Sequence, residues 1–244
     1  MSLNFEELDY RRTHLGELIL RRRRVPLLGG TEIFEVKLGD AFLMSSLFNT
    51  GEIALAELGL AGLDTAQLDV VVAGLGLGYT AGAALDHPAV GSVLVIEALA
   101  EVIDWHQRGL VPLGLKLTAD QRCRLINADF FALVNSPTQG FDPQTPGRRF
   151  HAILLDIDHS PRHLLHPDHG AFYEPAGLRH LTTYLHPGGV FALWSNDPPD
   201  DDFLAALDST FAAAQAHIVT FHNPLQDRKA ACTVYVARTA TAGA

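Results

Sequence analysis

Cysteine is scarce in this chain. The two that occur, Cys123 and Cys232, lie far apart inside apolar segments. Such spacing excludes a disulfide framework and a paired-thiol metal site, so both read as buried thiols. Long apolar runs are missing as well: no stretch approaches the length of a membrane span. No signal-peptide pattern opens the sequence, and the expectation is a cytoplasmic protein with no membrane partner. An excess of basic residues is also lacking. The formal net charge is −10, which argues against a nucleic-acid binder, since those usually carry a basic face. The one basic run, Arg21-Arg22-Arg23-Arg24, reads as a solvated or salt-bridged edge, with a phosphate or RNA contact as the alternative. Internal repeats are absent.

What is present is 244 residues of 48% hydrophobic content. That suffices for one large α/β domain with a short appendage. The informative stretch is Val70-Val71-Val72-Ala73-Gly74-Leu75-Gly76-Leu77-Gly78-Tyr79-Thr80. An apolar run meets three glycines at alternate positions, and a helix-compatible segment follows. A second apolar run, Ser92-Val93-Leu94-Val95-Ile96, ends on Glu97. The pattern is strand, tight glycine turn, helix, strand, acid. Glycine permits φ > 0 and lets a ligand approach the backbone. An acid about 20 residues past the glycines can accept both ribose hydroxyls of a nucleoside. The spacing is G-x-G-x-G, with Tyr79 where a dinucleotide fingerprint has its third glycine. A ligand without a pyrophosphate, such as S-adenosylmethionine, suits it better.

The rest of the chain supplies a mostly parallel sheet. Residues 1–24 are polar and charged with scattered leucines, and read as a helix or as an arm that packs on a partner. Residues 31–38 and 41–44 form a small hairpin. A loop then feeds a helix over 52–60. Strands are expected at 69–73, 92–97, 123–127, 151–156 and 189–194. Helices are expected at 79–86, 99–108, 171–185 and 203–215. Residues 217–222 and 232–237 pair antiparallel, because their connection is short. Residues 140–149 read as a surface loop and 239–244 as a disordered tail. The expected division is an N-terminal arm, hairpin and lead-in helix over 1–60, a nucleoside-binding domain over 61–238, and the tail. This is an α/β, Rossmann-like sheet of the class I methyltransferase type. Such sheets bind ligands at the carboxyl ends of their strands, where Gly74, Gly76, Gly78, Glu97, Asp129 and Asp156 all fall.

With those residues in hand, the chain resembles the spermidine synthase family, the polyamine aminopropyltransferases, over roughly residues 31–237. The family's glycine loop G-G-G-D-G-G falls on Gly74-Leu75-Gly76-Leu77-Gly78-Tyr79. Its ribose acid falls on Glu97, its adenine-contacting pair on Asp129-Phe130, and its catalytic D-S-S-D-P on Asp156-Ile157-Asp158-His159-Ser160. Phe172-Tyr173 and Leu185-His186-Pro187-Gly188-Gly189 sit where the family starts a helix and leads into strand five. The resemblance implies a transferase, a homodimer, and S-adenosylmethionine or its decarboxylated form as co-substrate. There are two departures. The loop aspartate, which the family uses to hold the donor's amine, is Leu77 here, and its loss would admit a donor that keeps its carboxylate. The second catalytic aspartate aligns with His159, with Asp158 as an extra acid beside it.

Each residue also has a plainer role. Glu97 can be an exposed strand-end acid, Asp129 an N-cap, Phe130 core packing, and Asp158 a surface acid. Asp156 follows four apolar residues at a strand mouth, where a carboxylate can orient or deprotonate an acceptor. His159, His163, His166 and His169 invite a metal reading, but Pro161 and Pro167 break the register, so a lid over the site is expected and no metal. Asn196-Asp197-Pro198-Pro199 reads as a loop lining the acceptor side; a base-modifying N-P-P-Y likeness is the weaker option. The leading expectation is methyl transfer to a small amine or hydroxyl acceptor. Aminopropyl transfer to a polyamine is the alternative, and a non-catalytic nucleoside-binding relative the competitor from another class.

Overall fold

The computed structural model describes residues 5–136 and 140–243. Residues 1–4 of the expected arm lie outside them. From Phe5 onward that segment is neither helix nor free arm. It forms two strands, β1 (Phe5–Thr13) and β2 (Gly16–Val25), which join β3 (Thr31–Leu38) and β4 (Ala41–Ser45) in an antiparallel sheet ordered β1-β2-β3-β4. The reason is a period of two. Leu18 and Leu20 are buried on one face of β2, while Arg21 and Arg23 share the other. Both guanidinium groups hold the buried Glu35 of β3, at 2.6 and 2.8 Å. Arg22 pairs with Glu6 of β1 at 2.5 Å. The basic run is therefore a set of cross-strand ion pairs.

The second sheet is built on β5 (Leu68–Ala73), in which every residue but Asp69 is buried. A strand apolar on both faces belongs in the middle of a covered parallel sheet. It lies between β6 (Val90–Glu97) and β8 (Phe150–Leu155). With β7 (Cys123–Asn127), β9 (Leu185–Ser195), β10 (Ala213–Asn223) and β11 (Arg228–Arg238), the order is β10-β11-β9-β8-β5-β6-β7. The strands from β7 to β9 run parallel, whereas β11 and β10 are antiparallel to their neighbours. Alternate residues of β5 feed two cores. Val70 and Val72 pack with α1 (Thr50–Leu60) and α2 (Tyr79–Asp86), and Val71 and Ala73 with the aromatic cluster opposite.

Of the remaining helices, α3 (Ala100–Gln107) and α4 (Gly114–Ala119) follow β6, and α5 (Phe130–Val134) follows β7. The helix expected over 171–185 is two, α6 (Gly170–Tyr173) and α7 (Pro175–Thr182), because Pro175 starts a new first turn. Likewise α8 (Asp201–Asp208) ends earlier than expected, and its Ala-rich sequel joins β10. Residues 140–149 are more than a surface loop. Phe141 packs into the aromatic core, and the buried Asp142 takes Arg124 and Arg148 at 3.2 and 2.9 Å. The tail begins ordered: Thr239 donates its N–H to the Gly189 carbonyl, and Gly188 donates to that of Ala240. Cys232 is buried and Cys123 half-buried, both free.

Candidate functional site

Register brings the site together. Ala73 pairs with Ile96 on one side and with Leu155 on the other. Glu97 pairs with Asn127, and Leu155 with Leu193. The next residue on each strand therefore reaches the same carboxyl edge: Gly74 after β5, Glu97 ending β6, Asp156 after β8 and Trp194 near the end of β9. The chain leaves β5 toward β6 and returns to β8 on the other flank, so this edge is the switch point where such sheets bind ligands.

The glycine loop joins β5 to α2. Gly74, Gly76 and Gly78 have φ of 94°, 47° and 90°, a region that side chains rarely adopt. The space a Cβ would need is taken by the protein itself. At Gly74 it would lie 2.0 Å from the Asp156 carbonyl oxygen, at Gly76 2.5 Å from Met44 Cε, and at Gly78 2.6 Å from Leu117 Cδ1. Met44 comes from β4 and lies over the loop. Its Sδ accepts the Leu77 N–H at 3.1 Å. Beneath the loop, His106 of α3 is fully buried and its Nε2 meets the Gly76 carbonyl at 2.9 Å. Burial holds this imidazole below its usual range, which favours the neutral ring. Leu77 is 0% exposed within the larger apolar cluster.

Glu97 is half-buried. Its Oε2 accepts the Leu75 N–H at 3.0 Å, and its Oε1 accepts Leu99 N–H at 2.8 Å. Burial raises its carboxyl above the usual range, opposed by these backbone donors. The acid thus ties the glycine loop to the start of α3. The backbone N–H groups of Gly76 and Ala98 also turn toward this carboxyl.

The adenine-side pair divides. Asp129 is exposed and caps α5, its Oδ1 accepting the N–H groups of Phe131 and Ala132 at 2.8 and 3.2 Å. The Phe130 ring is 1% exposed, stacked on Phe141 at 5.2 Å and edge-on to Phe172. The ring is core, the plainer of its two readings.

Asp156 accepts the Thr80 hydroxyl at 2.7 Å, and its backbone N–H is held by the Ala73 carbonyl. Burial lifts its carboxyl to about 6. The Asp156 charge in turn acts on a residue that the sequence pattern passed over. Glu52, in the first turn of α1, is 7% exposed and coupled to Asp156; burial first, then the Asp156 charge, pushes it up to about 8. Burial and the Asp156 charge both disfavour ionisation of the Glu52 carboxyl. The indole Nε1 of Trp194 is buried without a hydrogen-bond partner among the described residues. An acid in the first turn, followed by the apolar run Ile53-Ala54-Leu55-Ala56, was the signal available for Glu52. Nothing local marked Thr80, Met44 or Trp194.

Asp158, expected to be catalytic beside Asp156, has another position. It is 3% exposed and accepts the Leu165 N–H at 2.7 Å, His169 Nδ1 at 2.9 Å and the Tyr173 hydroxyl at 2.7 Å. It clasps the segment after β8 onto α6, with both oxygens committed. The four histidines separate. His169 stacks on Phe131 at 3.9 Å, His163 meets Asp197 at 2.7 Å, and His166 caps the turn Pro167–His169. Among the described residues no three His, Cys, Asp or Glu side chains group as metal ligands. The cleft beside this segment, about 520 Å³, is lined by Ser160, His163, Ser195, Asp197 and Pro199 among others.

No protein-family model matches the chain. Three solved structures share its architecture. Spermidine synthase from Thermotoga maritima is 14% identical, with a TM-score of 0.72 over 97% of this chain and 74% of that one. A spermidine synthase in complex with the transition-state analogue AdoDATO is 15% identical, with the same TM-score and coverage. Human methyltransferase-like protein 13, in complex with SAH, is 18% identical, with a TM-score of 0.50 over 78% of each chain. The extent of the first two matches takes in both sheets. The chain has the spermidine synthase-like form of the class I methyltransferase fold.

Proposed function

We propose that this protein is a transferase that binds S-adenosylmethionine or its decarboxylated form and moves a group from the sulfonium to a small acceptor. The observation that carries the reading is the alignment of the glycine loop, Glu97 and Asp156 on one strand edge, fixed by register. Similarity of fold to proteins solved with AdoDATO and SAH supports the same ligand class. In this reading Glu97 accepts the ribose hydroxyls while the loop presents its backbone to the rest of the donor.

Asp156 takes a proton from the acceptor's ammonium or hydroxyl. The freed lone pair attacks the carbon beside sulfur, the new bond forms as the carbon–sulfur bond breaks, and that electron pair returns to sulfur as a thioether. The protein's main task is to hold the two partners in line. Methyl transfer remains the leading form, because the glycine loop over 74–79 contains no acidic side chain that could repel a donor carboxylate. Aminopropyl transfer is the second reading, favoured by the extent of the structural match to spermidine synthases. Asp129 and the Phe130 backbone would flank the adenine, and a homodimer and a cytoplasmic location are retained as parts of the proposal. Incubation with each donor and a panel of small amines, read by mass spectrometry, tests it. A gain of one methyl supports the first form and a gain of one aminopropyl the second; with neither, for any donor–acceptor pair, the transferase reading falls.

A further inference from the structure

The five amides from Gly74 to Gly78 are satisfied unequally. Gly74 donates its N–H to the Ile96 carbonyl at 2.9 Å, and Gly78 donates to that of Leu75 at 2.7 Å. The Leu75 N–H goes to the Glu97 carboxyl at 3.0 Å, toward which the Gly76 N–H also turns. Four of the five thus meet oxygen. The fifth, Leu77, donates to the Met44 thioether at 3.1 Å, and a thioether is a weak acceptor. At the other end of the same peptide, the Gly76 carbonyl meets Nε2 of the fully buried His106 at 2.9 Å. A planar trans peptide sends its N–H opposite to its carbonyl. With the carbonyl held on the buried His106, the N–H is directed away from the interior. Met44 is half-buried, unbranched and flexible. A Cβ on Gly76 would strike its Cε and Sδ at 2.5 and 2.6 Å, so this side chain covers the backbone that the glycine leaves bare.

Resting on the transferase reading, we propose that Met44 holds the place of the donor's carboxylate: a donor that keeps this group displaces the thioether, and the Leu77 N–H passes from sulfur to oxygen. Met44 is thereby a specificity-determining residue for the donor. The physical reason is acceptor strength. A hydrogen bond to an ionised oxygen is stronger than one to a thioether. His106 already orients the peptide, so the exchange asks no rearrangement of the loop. A decarboxylated donor brings no oxygen to this point and gains nothing from the Leu77 N–H. Asp156 and Glu97 lie on the same edge and act the other way, favouring the more cationic, decarboxylated form. The carboxylate-bearing donor is preferred only through the exchange at Leu77.

The test uses the full chain and two probes that differ only in the carboxylate, S-adenosylhomocysteine and its decarboxylated form. By calorimetry the wild type is expected to bind the first about tenfold more tightly. In Met44→Ala no thioether has to be displaced, so the ratio of the two affinities should widen by about threefold, whatever contacts the probes share. A melting curve establishes that the variant is folded. A second measurement needs only the wild type to fold. The chain has two methionines, Met1 and Met44, so with carbon-13 methyl-labelled methionine the Met44 signal is the one missing from the Met44→Ala spectrum. It should shift on saturation with S-adenosylhomocysteine and move less with the decarboxylated probe. Equal affinities, a preference for the decarboxylated probe, a ratio unchanged or narrower in folded Met44→Ala, or a Met44 methyl that responds alike to both probes overturns the proposal and leaves donor binding intact. Failure of both probes to bind would instead overturn the transferase reading, and this proposal with it.

Discussion

The backbone N–H of Leu77 donates to the thioether of Met44 at 3.1 Å. β4 of the N-terminal sheet is thereby fastened over the glycine loop of the other sheet. This one contact explains why a glycine is needed at 76: a Cβ there would meet Met44, the far end of a flexible side chain. At Gly74 the obstacle is the Asp156 carbonyl, which cannot move without breaking β8 from β5.

A graded response follows. Gly74→Ala should cost more than about 3 kcal/mol, whereas Gly76→Ala should cost about 1–2 kcal/mol, mostly for the strained φ. Met44→Ala added to Gly76→Ala should recover part of the steric share. Urea melts of wild type, Met44→Ala, Gly76→Ala and the double variant form the cycle, with Gly74→Ala measured beside them; equal losses at both glycines would show that the loop is not packed this way.

Leu77 stands where the resembled family has the acid that holds the donor's amine. It is buried in the apolar cluster. Leu77→Asp should therefore destabilise the fold by about 3 kcal/mol or more before any change in donor preference is seen. A variant that melts like the wild type would place this side chain at the ligand.

Glu52 gives the stability a pH signature. Its carboxyl is raised from 4.5 to about 8 in the folded protein. The folded state thus binds the proton more tightly than the unfolded chain does. The stability this leaves is present in full below the ordinary value and declines as pH rises toward 8. Asp156 adds a decline between its ordinary 3.8 and about 6. Glu52→Gln should then melt higher than wild type at pH 8–9, by on the order of 1–3 kcal/mol, and match it near pH 5. A variant less stable at both pH values would show that the carboxylate is paired.

Asp158→Ala should act on stability first. It strips His169, Tyr173 and the Leu165 N–H of their shared acceptor, a loss of roughly 2–4 kcal/mol for a buried charged acceptor. Asp158→Asn should retain part of it. Wild-type melting with abolished transfer would return Asp158 to the reacting centre.

The parallel strands, the glycine turn and Glu97 were legible because each rests on a local pattern: apolar runs, alternate glycines, an acid at a strand end. The N-terminal strands were less so. Leu8 and Leu15 obscured the two-residue period of Leu18 and Leu20, and pairing with β3 decided the matter. Glu52 could not be placed near Asp156 from sequence, since the 103 positions between them are closed by tertiary packing of α1 on the sheet. Phe130 admitted two readings, because it flanks a motif acid and an apolar side chain next to a motif is as readily core. Asp158 differs from Asp156 only in where the chain turns after β8.

The most direct measurement is calorimetry of S-adenosylhomocysteine with the wild type and with Glu97→Ala. Binding by the wild type is expected, and a loss of about 1.5–3 kcal/mol in the folded variant, the range for hydrogen bonds to a charged group. No binding of S-adenosylhomocysteine, S-adenosylmethionine or its decarboxylated form by the wild type, or an unchanged affinity in folded Glu97→Ala, would contradict a nucleoside site on this edge.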